Sequence, residues 1–131
     1  MVLPVTAGKG RVLLVDDDAD AREAVSEELA ARGYEVVPAG GGEEALSLLA
    51  AGPAPCVVLV DLLMPSMDGA EFLARMRQDP RLAGLPVVVL TGIASSRLKR
   101  LLDAKACFVK PFDTGDLCRE IDRICAARSR P

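Results

Sequence analysis

Five apolar runs of strand length, each cut off by a polar or turn-forming residue and most followed by a segment of helical period, constrain this chain more than anything else in it. Residues 11–15 read Arg-Val-Leu-Leu-Val and stop at Asp16-Asp17-Asp18. Residues 56–60, Cys-Val-Val-Leu-Val, stop at Asp61, and residues 86–90, Pro-Val-Val-Val-Leu, stop at Thr91. Shorter runs at 34–37 and 106–109 complete the set, the last ending at Lys110. The most continuous run, 56–60, has no polar face, as expected for a central parallel strand covered on both sides.

The intervening segments carry helical spacing. In 19–32, Ala21, Val25 and Leu29 recur every four residues, with acidic residues early and Gly33 in the C-cap position. After a loop at 38–42, Ala45, Leu46 and Leu49 face one side of 43–51, which Gly52 and Pro53 terminate. Phe72, Leu73 and Met76 do the same in 69–78, a short helix covers 95–104, and Asp113 caps a last helix over 114–127. Strands alternating with helices require crossover connections, which are right-handed. The pattern predicts a flavodoxin-like (βα)5 doubly wound α/β fold, its five parallel strands in the order 2-1-3-4-5. Residues 1–9 are expected to be a flexible N-terminus, 10–127 the domain and 128–131 a C-terminal tail.

Composition narrows the function. At 131 residues and 50% apolar content the chain makes one domain with a full core. It contains no histidine, which excludes His-based triads, imidazole zinc sites and a phosphohistidine of its own. A net charge of -3, spread along the chain, gives no nucleic-acid footprint and no polybasic membrane anchor. No run reaches membrane-spanning length and the first residues lack a signal-peptide pattern, so a cytoplasmic protein is expected. Cys56, Cys107, Cys118 and Cys125 form no C-x-x-C pair and read as small buried hydrophobes in a reducing compartment. Cys118 and Cys125, seven apart among Leu117, Ile121 and Ile124, read as packing residues.

In a doubly wound sheet, functional groups gather at the C-terminal ends of the strands, beside the switch point between strands 1 and 3. Asp16 and Asp17, Asp61, Thr91 and Lys110 all fall there. Carboxylates about 4 Å apart repel by about 4 kcal/mol per pair at an effective dielectric near 20, so a cation is required. Oxygen donors without sulfur or nitrogen suit Mg²⁺ or Mn²⁺. A lysine, a hydroxyl and a metal site beside a carboxylate suit phosphoryl transfer to that carboxylate. Asp61 is the preferred nucleophile, Asp16 and Asp17 the metal ligands, and Gly92 leaves room for the incoming group. Asp18 and Asp20 read as acidic residues at a helix N-terminus, and Asp68 as a turn or cap residue. Gly40-Gly41-Gly42 lacks the Lys-Ser/Thr of a phosphate loop and reads as a plain loop.

At these residues the sequence resembles the receiver domain of bacterial two-component response regulators, over nearly its whole length. The motifs are Asp16-Asp17-Asp18, Asp61-Leu-Leu-Met-Pro-Ser-Met-Asp-Gly69, Leu-Thr91-Gly and Val-Lys110-Pro-Phe112. The resemblance implies that Asp61 accepts a phosphoryl group from a phosphohistidine on a partner histidine kinase or phosphotransfer protein. It implies that Asp17 ligates Mg²⁺ directly and Asp16 mainly through water, with Asp61 and the Leu63 backbone carbonyl completing the protein ligands. Thr91 and Lys110 would bind phosphoryl oxygens, with a cis Lys110-Pro111 bond. It also implies output through binding of a downstream protein, a second copy of the chain included, and no enzymatic activity beyond its own phosphorylation and slow dephosphorylation.

Two departures from the family pattern stand out. Cys107 occupies the position three before Lys110 where the family usually has an aromatic, and Phe108 falls on the opposite strand face. The stretch from Thr91 to Lys110 is short, which predicts a shortened fourth helix or a tightened loop. Leu63 and Ile93, two residues after Asp61 and Thr91, offer no group to orient an attacking water, so slow self-dephosphorylation is expected. Two other functions compete: a pseudo-receiver that binds a partner constitutively, and a metal-dependent aspartyl phosphatase suggested by Asp16-x-Asp18. The phosphatase would need a cap domain for which the length leaves no room.

Overall fold

Short parallel strands cannot be joined by hairpins, and the chain answers with a helix after every strand. The structure, a computed structural model, describes residues 9–62, 69–92 and 96–129. The strands β1 (Gly10–Val15), β2 (Tyr34–Ala39), β3 (Val57–Asp61), β4 (Val87–Thr91) and β5 (Ala106–Val109) are all parallel, in the order β2-β1-β3-β4-β5. Between and after them run α1 (Ala19–Ala31), α2 (Gly42–Ala51), α3 (Gly69–Arg77), α4 (Ser96–Leu101) and α5 (Thr114–Ser129). This is the flavodoxin-like arrangement that the alternation predicts.

The period of two along each central strand divides the core into two layers. Leu13, Val15, Val58, Val60, Val87 and Val89 meet Ala45 and Leu49 of α2 and Phe72, Leu73 and Met76 of α3 on one face. Val12, Leu14, Val57, Leu59, Val88 and Leu90 meet Val25 and Leu29 of α1 and Leu117, Ile121 and Ile124 of α5 on the other. Every residue of β3 and β4 is buried, while the edge strands β2 and β5 are partly open. Cys107 packs with the first layer and Phe108 with the second, as the strand period predicts.

Several boundaries differ from the sequence reading. β2 continues through Pro38 and Ala39, which the sequence assigned to a loop. Proline lacks an N–H, but β2 is an edge strand, where that donor has no second neighbour to serve. β3 and β4 start one residue later than read and take in Asp61 and Thr91. α4 is shorter than 95–104, ending at Leu101 ahead of Asp103, whose φ is 50°. α5 continues to Ser129, and the Lys9 amide donates to the Gly33 carbonyl at 2.9 Å.

The cysteine reading needs a larger correction. Cys118 is buried and free, and Cys107 is half-buried and free, but Cys56 and Cys125 form a disulfide across 69 positions of sequence. Helical spacing on α5 shows that Cys125 faces inward; only the packing of α5 over the start of β3 puts Cys56 opposite it. The expectation that all four cysteines are thiols therefore does not hold for Cys56 and Cys125.

Near this bond lies the one tyrosine of the chain. The Tyr34 hydroxyl donates to Asp122 Oδ1 at 2.6 Å, and Asp122 also pairs with Lys9 at 3.4 Å and Arg32 at 3.9 Å. Burial, reinforced by the bond to the Asp122 carboxylate, holds the phenol well above its ordinary value of 10.0. A folded-state value above the unfolded one contributes stability that is complete below that ordinary value and is lost as pH rises through the folded one. With no tryptophan present, ultraviolet titration reads this group directly. The phenolate band is expected in denaturant at pH values where the native protein shows none. A native midpoint equal to the denatured one would contradict the role of burial and Asp122.

Candidate functional site

Parallel strands deliver all their C-terminal ends to one edge of the sheet, and the strand order brings β1 and β3 together there. Val15 is level with Val60, Asp61 with Leu90, and Thr91 with Val109, so the residues that end these strands share one rim. One carboxylate oxygen from each of Asp16, Asp17 and Asp61 lies within 4.8 Å of the others. Asp16 and Asp61 are 2% and 8% exposed, whereas Asp17 is open to solvent. Lys110 Nζ donates to Asp61 Oδ2 at 2.9 Å and to Asp16 Oδ2 at 3.4 Å. Thr91 is buried on the same rim. Its carbonyl accepts from the Lys110 amide at 2.7 Å, which ties the end of β4 to the lysine, and the Lys110-Pro111 bond is cis. Gly92 is exposed, and a Cβ there would meet nothing within 4 Å.

Asp16 is held from three directions. Its amide donates to the Ala39 carbonyl at 3.0 Å, its Oδ1 accepts from the Asp18 amide at 2.9 Å, and its carbonyl accepts from the Arg22 guanidinium at 2.6 Å. Asp18 caps α1, its carboxylate accepting from the Asp20 and Ala21 amides, as the reading of an acidic helix start requires. Sequence reasoning missed Arg22 and Ala39. An arginine on a helix face and an alanine at the end of an edge strand carry no local signal, and their role comes from the fold alone.

Three carboxylates against one ammonium leave an excess of negative charge. Burial pushes the Asp16 carboxyl up, with the charge of Asp61 adding to it, against the opposing Asp18 amide and Lys110. For Lys110 burial pulls down, but the hydrogen bond to Asp61 and the charges of Asp16 and Asp61 outweigh it, and the ammonium is held above its ordinary value. Asp16 is raised although it faces a cation, because the loss of water around it outweighs a contact at 3.4 Å. A buried carboxylate disfavoured in this way gains from a further cation. The all-oxygen donor set fits Mg²⁺ or Mn²⁺. Leu63, Asp68 and Ile93 lie outside the described residues.

Beside the rim, a cavity of about 440 Å³ opens between α1 and the segment after β5. Asp16 and Lys110 face it together with Ala21, Ala24, Val25 and Phe112. Apolar walls around a charged floor make room for a second molecule at the carboxylates.

A doubly wound domain with an acid cluster and a lysine at its switch point defines a class of signalling module, and comparison assigns the family. The response regulator receiver domain model matches residues 12–122, and the chain belongs to that family, the receiver domains of two-component systems. A "Two-component response regulator ORR5" of Oryza sativa subsp. japonica is 32% identical over 120 residues, covering 89% of this chain and 90% of the relative. A "Probable transcriptional regulator ycf27" of Porphyridium aerugineum is 35% identical over 133 residues, covering 94% of this chain but 54% of the relative. The chain thus spans about half the length of that relative and 42% of a second ycf27 protein, from Guillardia theta. Among solved structures, the chemotaxis protein CheY4 of Vibrio cholerae superposes with a TM-score of 0.80 at 32% identity, covering 87% of this chain and 97% of that one. The response regulator TrrA of Thermotoga maritima, in complex with Mg²⁺ and BeF, gives 0.75 at 31% identity, covering 87% and 97%. Among the described residues no helix is long and apolar enough to cross a membrane.

Proposed function

We propose that the chain is a phosphoacceptor and that Asp61 is the residue modified. The observation that carries this reading is the position of Asp61: at the buried end of the central strand, with Lys110 2.9 Å from one carboxylate oxygen and Asp16 and Asp17 beside it. Receiver domains are signalling domains regulated by histidine kinases and phosphotransfer proteins. The sequence holds no histidine, so the donor phosphohistidine lies outside these 131 residues.

A carboxylate oxygen of Asp61 forms a bond to phosphorus as the phosphorus–nitrogen bond of the donor breaks, and the departing imidazole keeps the electron pair and takes up a proton. The surrounding residues prepare that exchange. Lys110 pairs with Asp61 and offers its ammonium to the arriving oxygens, while the Thr91 hydroxyl supplies a donor and Gly92 leaves the approach open. Asp16, Asp17 and Asp61, with the Leu63 carbonyl, would hold the divalent cation, which when bound neutralises charge on the phosphoryl oxygens. The output is altered binding of a downstream protein.

The test is incubation with Mg²⁺ and acetyl phosphate followed by intact mass. A gain of one phosphoryl group supports the proposal. No gain, with no Mg²⁺ bound, supports a constitutive pseudo-receiver, and release of phosphate over many turnovers supports a phosphatase. The apolar Leu63 and Ile93 carry a further expectation: the phosphoryl group, once on Asp61, is lost slowly. Time-resolved loss of label measures it, and a half-life of seconds would contradict it.

A further inference from the structure

Cys56 and Cys125 join the chain at the end of the sheet remote from the carboxylates. Cys56 directly precedes β3, the strand that ends in Asp61, and Cys125 lies in the C-terminal half of α5. The bond is therefore a covalent tie between the central strand and the helix that follows Lys110.

The tie is within reach of a small molecule on the Cys56 side, while Cys125 is buried. Cys56 is only partly buried. Cys125 borders a cavity of about 460 Å³ whose other walls are Lys9, Tyr34, Asp122 and Ala126. Lys9 and Asp122 pair at 3.4 Å, so the cavity carries charge but no strong excess of either sign. On the β1 side Gly10 packs closely against Cys56: its φ is +137°, and a Cβ at that position would lie 3.0 Å from Cys56 Sγ, so glycine is what leaves the sulfur its space. The other two cysteines are differently placed. Cys118 is fully buried, and Cys107 packs in the opposite layer of the core.

Opening the tie leaves α5 attached elsewhere. Leu117 and Ile121 remain in the core, and Asp122 remains bonded to Tyr34 and paired with Lys9. The effect of reduction is thus confined to the last turns of the helix.

We propose that Cys56 and Cys125 form a thiol–disulfide exchange site, opened in the folded protein by a small thiol and closed by the matching small disulfide. The hold of α5 on β3 then follows redox state. In opening, the thiolate of one small thiol bonds to Cys56 Sγ, and the electron pair of the protein disulfide leaves on Cys125, which takes a proton. A second thiolate bonds to the outer sulfur and releases Cys56 as a thiolate together with the small disulfide. Two small thiols are oxidised and the protein disulfide is reduced; closure is the reverse.

Glutathione is the probe. The full chain is incubated in native buffer with reduced glutathione, quenched with iodoacetamide and mapped by mass, with Cys118 as an internal reporter of unfolding. Expected are alkylation of Cys56 and Cys125 with Cys118 protected, re-formation of the bond on adding glutathione disulfide, and about tenfold faster amide exchange in the last turns of α5 when reduced. Cys56→Ser should show that faster exchange in either buffer. If this variant does not fold, the wild-type comparison decides alone. A bond that opens only when Cys118 is also labelled, or equal exchange in both redox states, would overturn the proposal.

Discussion

Asp61→Asn takes up no phosphoryl group from acetyl phosphate under conditions in which the wild-type chain gains one. The amide keeps the size and shape of the carboxylate but has no charged oxygen to attack phosphorus, so the loss should be complete rather than partial. The fold should survive. Asparagine still offers an oxygen to Lys110, now as a neutral hydrogen bond, and removes one of three crowded negative charges. At an effective dielectric near 20, each carboxylate pair about 4 Å apart costs about 4 kcal/mol, so relief of that repulsion offsets the weakened contact with Lys110. The variant is expected to unfold at a urea concentration equal to or above that of wild type. Asp18→Asn supplies the control: Asp18 lies in the same acidic run but spends its carboxylate on capping α1, and its adduct should form normally. An adduct on Asp61→Asn, or its loss in Asp18→Asn alone, would move the acceptor elsewhere.

Gly69→Ala is expected to destabilise the domain by about 1–3 kcal/mol and to slow phosphorylation as well. Gly69 opens α3, and its amide donates to the Leu62 carbonyl at 2.8 Å, tying the start of the helix to the residue after β3. A Cβ there would lie 2.6 Å from the Asp61 carbonyl oxygen and 2.7 Å from Leu62 Cα. Both are backbone atoms of the segment that positions the acceptor, so relief requires moving Asp61 itself. Gly84→Ala is the matching control, because its Cβ would meet nothing within 4 Å. Urea midpoints that drop for position 69 and hold for position 84 confirm the steric origin. An unchanged midpoint for Gly69→Ala would show that the backbone at Asp61 and Leu62 gives way freely.

The strand order and the two core layers were legible because they rest on local periodicity together with the handedness of crossovers. Val57 to Val60 have no polar face, and residues such as Val25, Leu29, Phe72 and Met76 recur at helical spacing, so each segment declares what it buries. Boundaries were less legible. Pro38 and Ala39 read as a loop because proline breaks an interior strand, and only the edge position of β2 makes it harmless. The end of α4 depends on the backbone at Asp103, which its side chain does not announce.

At the rim, the residue types and their places at strand ends were visible in the chain, because acids, a hydroxyl and a lysine that terminate apolar runs are conspicuous. Arg22 and Ala39 were not, since each contributes through the geometry of its neighbours to the seating of Asp16.

The amino-acid sequence alone determined that the fold is a five-stranded parallel sheet and that Asp16, Asp17, Asp61 and Lys110 fall along one edge of it. Period and crossover rules are local, and parallel strands necessarily end together. Tertiary structure alone decided that Lys110 bridges Asp61 and Asp16, that Asp16 rests against Ala39 and Arg22, and that Cys56 meets Cys125 across 69 positions. Those contacts depend on how α1 and α5 seat against the sheet, which is a property of the packed core as a whole and leaves no trace in the spacing of any one segment.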